Sequence, residues 1–548
     1  MVTMNTVNVS NVGTGIMMEG SGTLTLEKGT RISFMGAYGV YVGSSVTSAT
    51  LTNVTIEGSG SKGVGVYAEG GNLTVSGGEI KGVKTGISME AGESLTVKDG
   101  TTINFMGNYG VYVGDKVTSA TLTGVTITGS GNNGMGIYAM GGSLTVKDNT
   151  RITGVEEGIK MEGKGTLTVS GTTIQFEGGY GVVVGDKVTS ATLTDVTITG
   201  NKSGGGIWVT GGSGNVTLER VTISEVKAGI YVKASESVTV EKGTTINFMG
   251  EDGYGVYVGS SVQNTSLIGV TITGNKSGGG TGIYAEGGSL TVKEGTITGV
   301  KMGVWVKGGS GNVTVKGVTI REAVRGIAME GSGELKVENG TRIEFTGDYG
   351  VYVGSSVTSA TLTNVTITGQ NKGVGIYAEG ENLTVSGGSI TGVERGIWVK
   401  GGSLTVKEGT TITGVKVGIA MKGKGELKVE EGTRIEFTGS ESYDYGVYVG
   451  SSVSKASLTG VTITGNKSGG SGVLMMGSTG NATLTRVNVS KVETGIYAMG
   501  GSLTVKKGTR IDFMGDYGVY AGKRVKNTSL MGVMITGNGN SGSKGVGV

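Results

Sequence analysis

A glycine followed by an aliphatic residue, a variable position and a second apolar residue recurs through the chain, roughly once in every two dozen positions. It reads GIMM at Gly15, GVYV at Gly39, GISM at Gly86, GIWV at Gly206 and GIAM at Gly326. From Gly15 to Gly547 there are 23 such anchors. The second position is always Ile or Val, and the fourth is Val, Met or Ala wherever the anchor is long enough to show it. Fixed apolar character at alternate positions is the period-2 pattern of a strand with one buried face. Each unit adds a second run, such as Leu73–Val75, and often a third, such as Val54–Ile56, with Gly, Ser, Asn and Lys between them as turns.

A longer cycle overlies the short one. Tyr-Gly-Val begins at Tyr38, Tyr109, Tyr180, Tyr254, Tyr349, Tyr445 and Tyr517. The intervals fall into a short class and a long class, three and four of the smaller units respectively. The stretch Tyr38–Ile56 returns letter for letter at Tyr349–Ile367. Three short strands per unit without a helical period predict an all-β, single-stranded parallel β-helix. It would have about 23 coils of about 24 residues in one continuous segment, 1–548. The Leu and Asn ladder of leucine-rich repeats is missing, propeller blades need ~40 residues, and no six-residue period supports a hexapeptide helix. One coil cannot bury its Ile and Val faces alone, so stability must come from stacking neighbours.

Composition agrees. Glycine numbers 113 of 548, but without a three-residue period, and proline is absent, so collagen is excluded. Proline has no N–H for a strand ladder, and a chain of paired strands sheds it. Without Cys or His there are no disulfides, thiol nucleophiles, imidazole bases or usual zinc sites. No cofactor motif is present. A net charge of +3 with dispersed lysines gives no basic stripe for nucleic acid. No run of ~18 apolar residues would span a membrane as a helix. The start, MVTMNTVNVSNVG, lacks a signal-peptide plan. Both ends read as cut within a coil, leaving open edges through which copies could associate end to end.

The phrases GVYVG, VTSATLTNVTITG, GIYAEGGNLTV and GTxIxF together resemble the passenger domains of Bartonella-type inducible autotransporter adhesins, over essentially the whole chain. The resemblance implies a right-handed β-helix, exported and displayed at or released from the bacterial surface, and joined to a membrane barrel that this chain does not contain. It implies a role as an adhesin or host-cell interaction module whose partner is a host-surface protein or glycan; the scattered carboxylates read as non-enzymatic, with a polysaccharide-active β-helix enzyme as an alternative. Signalling to endothelial cells through a growth-factor receptor is an alternative. The verbatim copies also leave open an engineered repeat scaffold with no natural ligand.

The third anchor position is the leading candidate for contact with a partner. It holds Tyr41, Tyr67, Tyr112, Tyr138, Trp208, Tyr231, Tyr257, Tyr284, Trp305, Tyr352, Tyr377, Trp398, Tyr448, Tyr497 and Tyr520. Its neighbours point inward, so these side chains should form an outward aromatic stripe, able to meet a protein or stack on sugar rings. Mutual stacking that stabilises the sheet is the simpler account, because Lys160 and Ala328 interrupt the stripe without disturbing the repeat. Longer turns after the Tyr-Gly-Val units include NKSGG at Asn201, Asn275 and Asn466, read as turn tolerance or as binding inserts. All seven Phe occur as Ile-x-Phe, which suits an interior filler.

Parallel β-helices that cleave polysaccharides need clustered carboxylates or a metal. Here Asp99, Asp115, Asp186, Asp195 and Asp348 are scattered, and Glu156–Glu157 and Glu430–Glu431 read as solvated charges. GGSGN at Gly211 and Gly308 lacks the Asp of calcium-binding repeats, so no metal site is expected. Paired threonine columns for ice are incomplete, and threonine reads as an exposed strand residue.

Overall fold

The computed structural model describes residues 1–60, 62–131, 134–212, 214–275, 279–438, 444–466, 469–477, 480–538 and 545–548. The chain forms two compact units, Met1–Asn275 and Lys276–Val548. The described residues contain strands and no helix. Strands of successive coils pair in parallel, and along the chain there are about 22 turns. The architecture is the expected parallel β-helix.

Each coil contributes to three sheets. In one coil of the first unit these strands are Tyr38–Val42 in the anchor sheet, Val46–Thr52 in the second and Thr55–Gly58 in the third. The next coil lays Val64–Ala68, Asn72–Ser76 and the start of Glu79–Lys98 alongside them. Alternation puts one residue in two inside, and the register stacks like on like. Ile32, Ile56, Ile80, Ile103 and Ile127 pair in sequence and are all buried. In the second unit Ile376, Ile397 and Ile419 form such a stack in the anchor sheet. Each aliphatic side chain buried this way favours folding by ~1.5–3 kcal/mol.

The anchor glycine is dictated by close approach. A Cβ at Gly39 would lie 2.5 Å from Ile56 Cγ2 and 2.6 Å from the carbonyl oxygen of Gly65, the next anchor glycine. A Cβ at Gly350 would meet Ile367 Cγ2 and the Gly375 oxygen in the same way. Corners between the second and third sheets need left-handed backbone, supplied by Asn53 (φ 53°), Gly77 (φ 65°), Asp195 (φ 55°) and Asn364 (φ 52°). Gly, Asn and Asp tolerate that region best.

Threonine is not only an exposed strand residue. In Gly-Thr-x-Ile and its variants Thr30, Thr101, Thr150, Thr172, Thr244, Thr341, Thr410, Thr433 and Thr509 are buried at the corner. The hydroxyl of Thr101 donates to Lys98 O (2.7 Å), Thr150 to Lys147 O (2.8 Å) and Thr341 to Glu338 O (2.7 Å). Thr150 Oγ1 also accepts from the Val125 N–H (3.3 Å) in the preceding coil, so it fixes the turn and bridges two coils.

The seven Phe are interior, none above 3% exposed. Each sits beside a smaller aliphatic residue one coil earlier: Phe34 beside Val12, Phe105 beside Val83, Phe345 beside Ala323 and Phe513 beside Val492. On its other side the column holds glycine, as in Phe34–Gly58 and Phe513–Gly537. The succession Val, Phe, Gly fills a constant width, because the widest side chain is followed by none. This accounts for the three-coil cycle. Where the cycle lengthens, another medium side chain is added, as in Val300–Ala323–Phe345. Most of these Val–Phe steps carry a β-bulge, for example between Ile152 and Val155, with Gly154 at φ 61°.

The long turns cover the phenylalanines. A Cβ at Gly63 would lie 2.8 Å from the Phe34 ring, and one at Gly204 2.7 Å from the Phe176 ring. Asn201 Nδ2 donates to Glu177 O, and Asn275 Nδ2 to Met249 O (3.1 Å), tying the turn to the previous coil. The rest of NKSGG at 276–278 and 467–468, and position 213 of the first GGSGN, lie outside the described residues.

Candidate functional site

Parallel register converts the third anchor position into a column. In the first unit it runs Met17, Tyr41, Tyr67, Ser88, Tyr112, Tyr138, Lys160, Val183, Trp208, Tyr231 and Tyr257. In the second unit Tyr284, Trp305, Ala328, Tyr352, Tyr377, Trp398, Ala420, Tyr448, Leu474, Tyr497 and Tyr520 follow one another. All 15 aromatic positions therefore fall on the anchor sheet of one unit or the other. They are half-buried rather than freely exposed, and Tyr284 is covered at 5% exposure.

The shielding comes from neighbouring rings. Tyr41 stacks on Tyr67 (5.7 Å, 11°), Tyr231 on Tyr257 (4.1 Å, 1°), Tyr352 on Tyr377 (5.6 Å, 15°) and Tyr497 on Tyr520 (4.5 Å, 13°). A second column, the tyrosines of Tyr-Gly-Val, packs beside the first: Tyr38 lies 4.9 Å from Tyr67 and Tyr349 5.2 Å from Tyr352. Such pairs contribute ~0.5–1.5 kcal/mol beyond area burial. Stacking thus stabilises the sheet and rigidifies the rings a partner would meet. Lys160, an interruption in sequence, lies 5.5 Å over the Tyr138 ring, and Arg395 and Lys422 each lie 4.4 Å from Trp398.

Carboxylates flank the column. Tyr41 donates to Glu69 (2.9 Å), Tyr138 to Glu162 (2.6 Å), Tyr377 and Tyr352 to Glu379 (2.8 and 3.1 Å), and Trp305 Nε1 to Glu330 (3.1 Å). Sequence reasoning passed over these acids, although each stands two residues past an anchor's third position, as in GIYAEG and GIAMEG. Burial, reinforced by Glu90 and Glu69, pushes the Tyr67 hydroxyl up to about 12; burial and the bond to Glu379 push Tyr352 to about 12. Donation from Tyr377 holds the Glu379 carboxyl below its usual value.

The scattered acids remain apart and mostly locally paired. Asp195 meets Arg220 (2.6 Å), Asp348 meets Arg325, and Asp99 accepts from Ser76 (2.6 Å). Glu430 pairs with Lys428 (2.6 Å) and Glu431 with Arg486 (3.0 Å). Glu156 is exposed, but Glu157 departs from the solvated reading. Its Oε2 is buried without a partner, and burial raises its carboxyl pKa. Among the described residues no group of three or more Asp or Glu is placed to hold a metal ion.

In each unit the coil path, the three parallel sheets and the stacked interior define a β-solenoid with a laterally presented aromatic face. A family model for the right-handed β-helix region matches residues 1–150, 65–221, 205–341 and 325–471. The chain belongs to the right-handed β-helix family. No curated protein sequence matches it at a significant level.

Proposed function

We propose that the chain is a non-enzymatic binding module of passenger type, displayed at or released from a bacterial surface, that engages a host-cell protein or glycan. The observation that carries this reading is the anchor-sheet column, where aromatic, basic and acidic side chains recur in fixed register in each unit. Tyr, Trp and Arg dominate protein interfaces because they combine large contact area with a polar end. Their pre-stacking lowers the entropy lost when a partner is bound. The resemblance to autotransporter passengers supports the surface location. The separation and local pairing of the carboxylates favour binding over hydrolysis.

The test is adhesion of the purified chain to cultured endothelial cells. The triple variant Trp305→Ser, Tyr377→Ser, Trp398→Ser should weaken binding by tenfold or more, about 1.4 kcal/mol, with an unchanged β-type circular dichroism spectrum. Equal binding by the variant would remove the aromatic face from the mechanism. No binding by the parent chain would remove the adhesin reading.

A further inference from the structure

The column of Tyr-Gly-Val tyrosines contains one gap in the first unit. Between Tyr38 and Tyr109 the register places Val64 and Thr85, and between Tyr109 and Tyr180 it places Met135 and Glu157. After Tyr180 come Gly205 and Ala228. Tyr254 follows in register, just ahead of Val256, which pairs with Ile230. Tyrosines three coils apart, at ~4.8 Å per coil, thus face each other over a floor without long side chains. Trp208 and Tyr231 form the side wall. The result is a cleft of about 420 Å³ with Lys227 and Asp252 at its rim.

Two unmet groups adjoin this cleft. Trp208 stands edge-on to Tyr180 (4.3 Å, 89°), and its Nε1 is buried without a hydrogen-bond partner. By contrast, Trp305 donates the same N–H to Glu330. Glu157, one coil before Tyr180, packs against Gly179 at the edge of the cleft and keeps a buried, unpartnered Oε2. A mostly apolar, aromatic pocket with a few convergent polar groups is the usual form of a small-ligand site, commonly ~300–1,000 Å³.

We propose that this cleft binds a pyranose residue of a glycan. A pyranose has a flat C–H face suited to the rings of Tyr180, Trp208, Tyr231 and Tyr254. Its equatorial hydroxyls can accept from Lys227 and donate to Asp252 at the rim. A quaternary ammonium would also suit the rings, with Asp252 favouring and Lys227 opposing a cation, so choline is the competing ligand the test includes. The assignment deepens the binding-module reading and rests on it, since it names the ligand of one site on that face.

The experiment uses the full chain with methyl pyranosides of glucose, galactose, mannose and N-acetylglucosamine, read by the ¹H–¹⁵N signals of its three tryptophan indoles, and a glycan array. One indole signal should shift saturably with at least one pyranoside, and that signal should be the one lost in Trp208→Phe. Gly205→Val fills the floor with the residue that Val64 carries in the same column. The added Cβ lies 2.8 Å from the Tyr180 side chain and 3.7 Å from the nearest backbone atom, so folding should persist. Gly205→Val should weaken sugar binding about tenfold or more, and Trp208→Phe should weaken it several-fold. The proposal is overturned if no pyranoside or array glycan binds, if Gly205→Val binds equally, or if choline binds and the sugars do not. Cell adhesion that survives Gly205→Val without any sugar binding would sink the cleft and spare the adhesin reading. Sugar binding without cell adhesion would do the reverse.

Discussion

At the residue scale, the chain places small, exacting groups where neighbouring coils come closest. Thr341 shows this: its hydroxyl is wholly buried and bonded to Glu338 O, so Thr341→Val leaves that carbonyl with one partner fewer. A loss of about 1–3 kcal/mol is expected, seen as a lower urea midpoint at unchanged slope. The phenols give a pH signature. Burial keeps the proton on Tyr67 and Tyr352 up to about 12, whereas an unfolded tyrosine ionises near ~10. Their contribution to stability is therefore complete below ~pH 10 and is lost as pH rises towards 12. Spectrophotometric titration should show late-ionising tyrosines that revert to ordinary values in urea. The Gly-Thr-x-Ile phrase was visible in sequence, but threonine suits exposed strand and buried corner alike, and only the corner geometry decides between them. Glu157 misled for a similar reason. Two adjacent acids look solvated until alternation turns one of them against the neighbouring coil.

At the element scale, periodicity made the strands legible because one buried face per strand repeats with a period of two. The inward Ile and Val, and the interior Phe, follow directly from that alternation. The outward aromatic position followed too, but its half-burial did not, because rings that touch in space are separated in sequence by an entire coil. The size sequence of the Phe column was also hidden. It becomes apparent only when Val12, Phe34 and Gly58 are set side by side. Phe345→Ala should cost about 3–5 kcal/mol, since Ala323 on one side cannot expand into the space. Gly350→Ala should cost at least about 1–3 kcal/mol, because the obstacle is backbone carbonyl as well as a side chain. Denaturant titration of the two variants measures both.

At the scale of the whole molecule, each coil is held only by its neighbours, so protection should vary along the chain. The strand Val2–Met4 pairs on one side, with Gly22–Leu26, and Met534–Gly537 pairs with Arg510–Phe513. Amide hydrogen exchange should be fastest in these two strands and slowest in coils midway through each unit. Equal protection throughout would show that the array opens as one cooperative body.

The alternation of wide and empty positions in the Phe column also sets rules for recombination. Removing one full cycle, such as the segment from Tyr38 through Asn108, rejoins surfaces of the same profile. Excising only the coil that carries Gly58 would drive the Phe34 ring into Val83. Lineages of such chains should therefore lengthen and shorten in multi-coil blocks, and the junctions that survive should be those at which a bulky ring still finds a vacancy beside it.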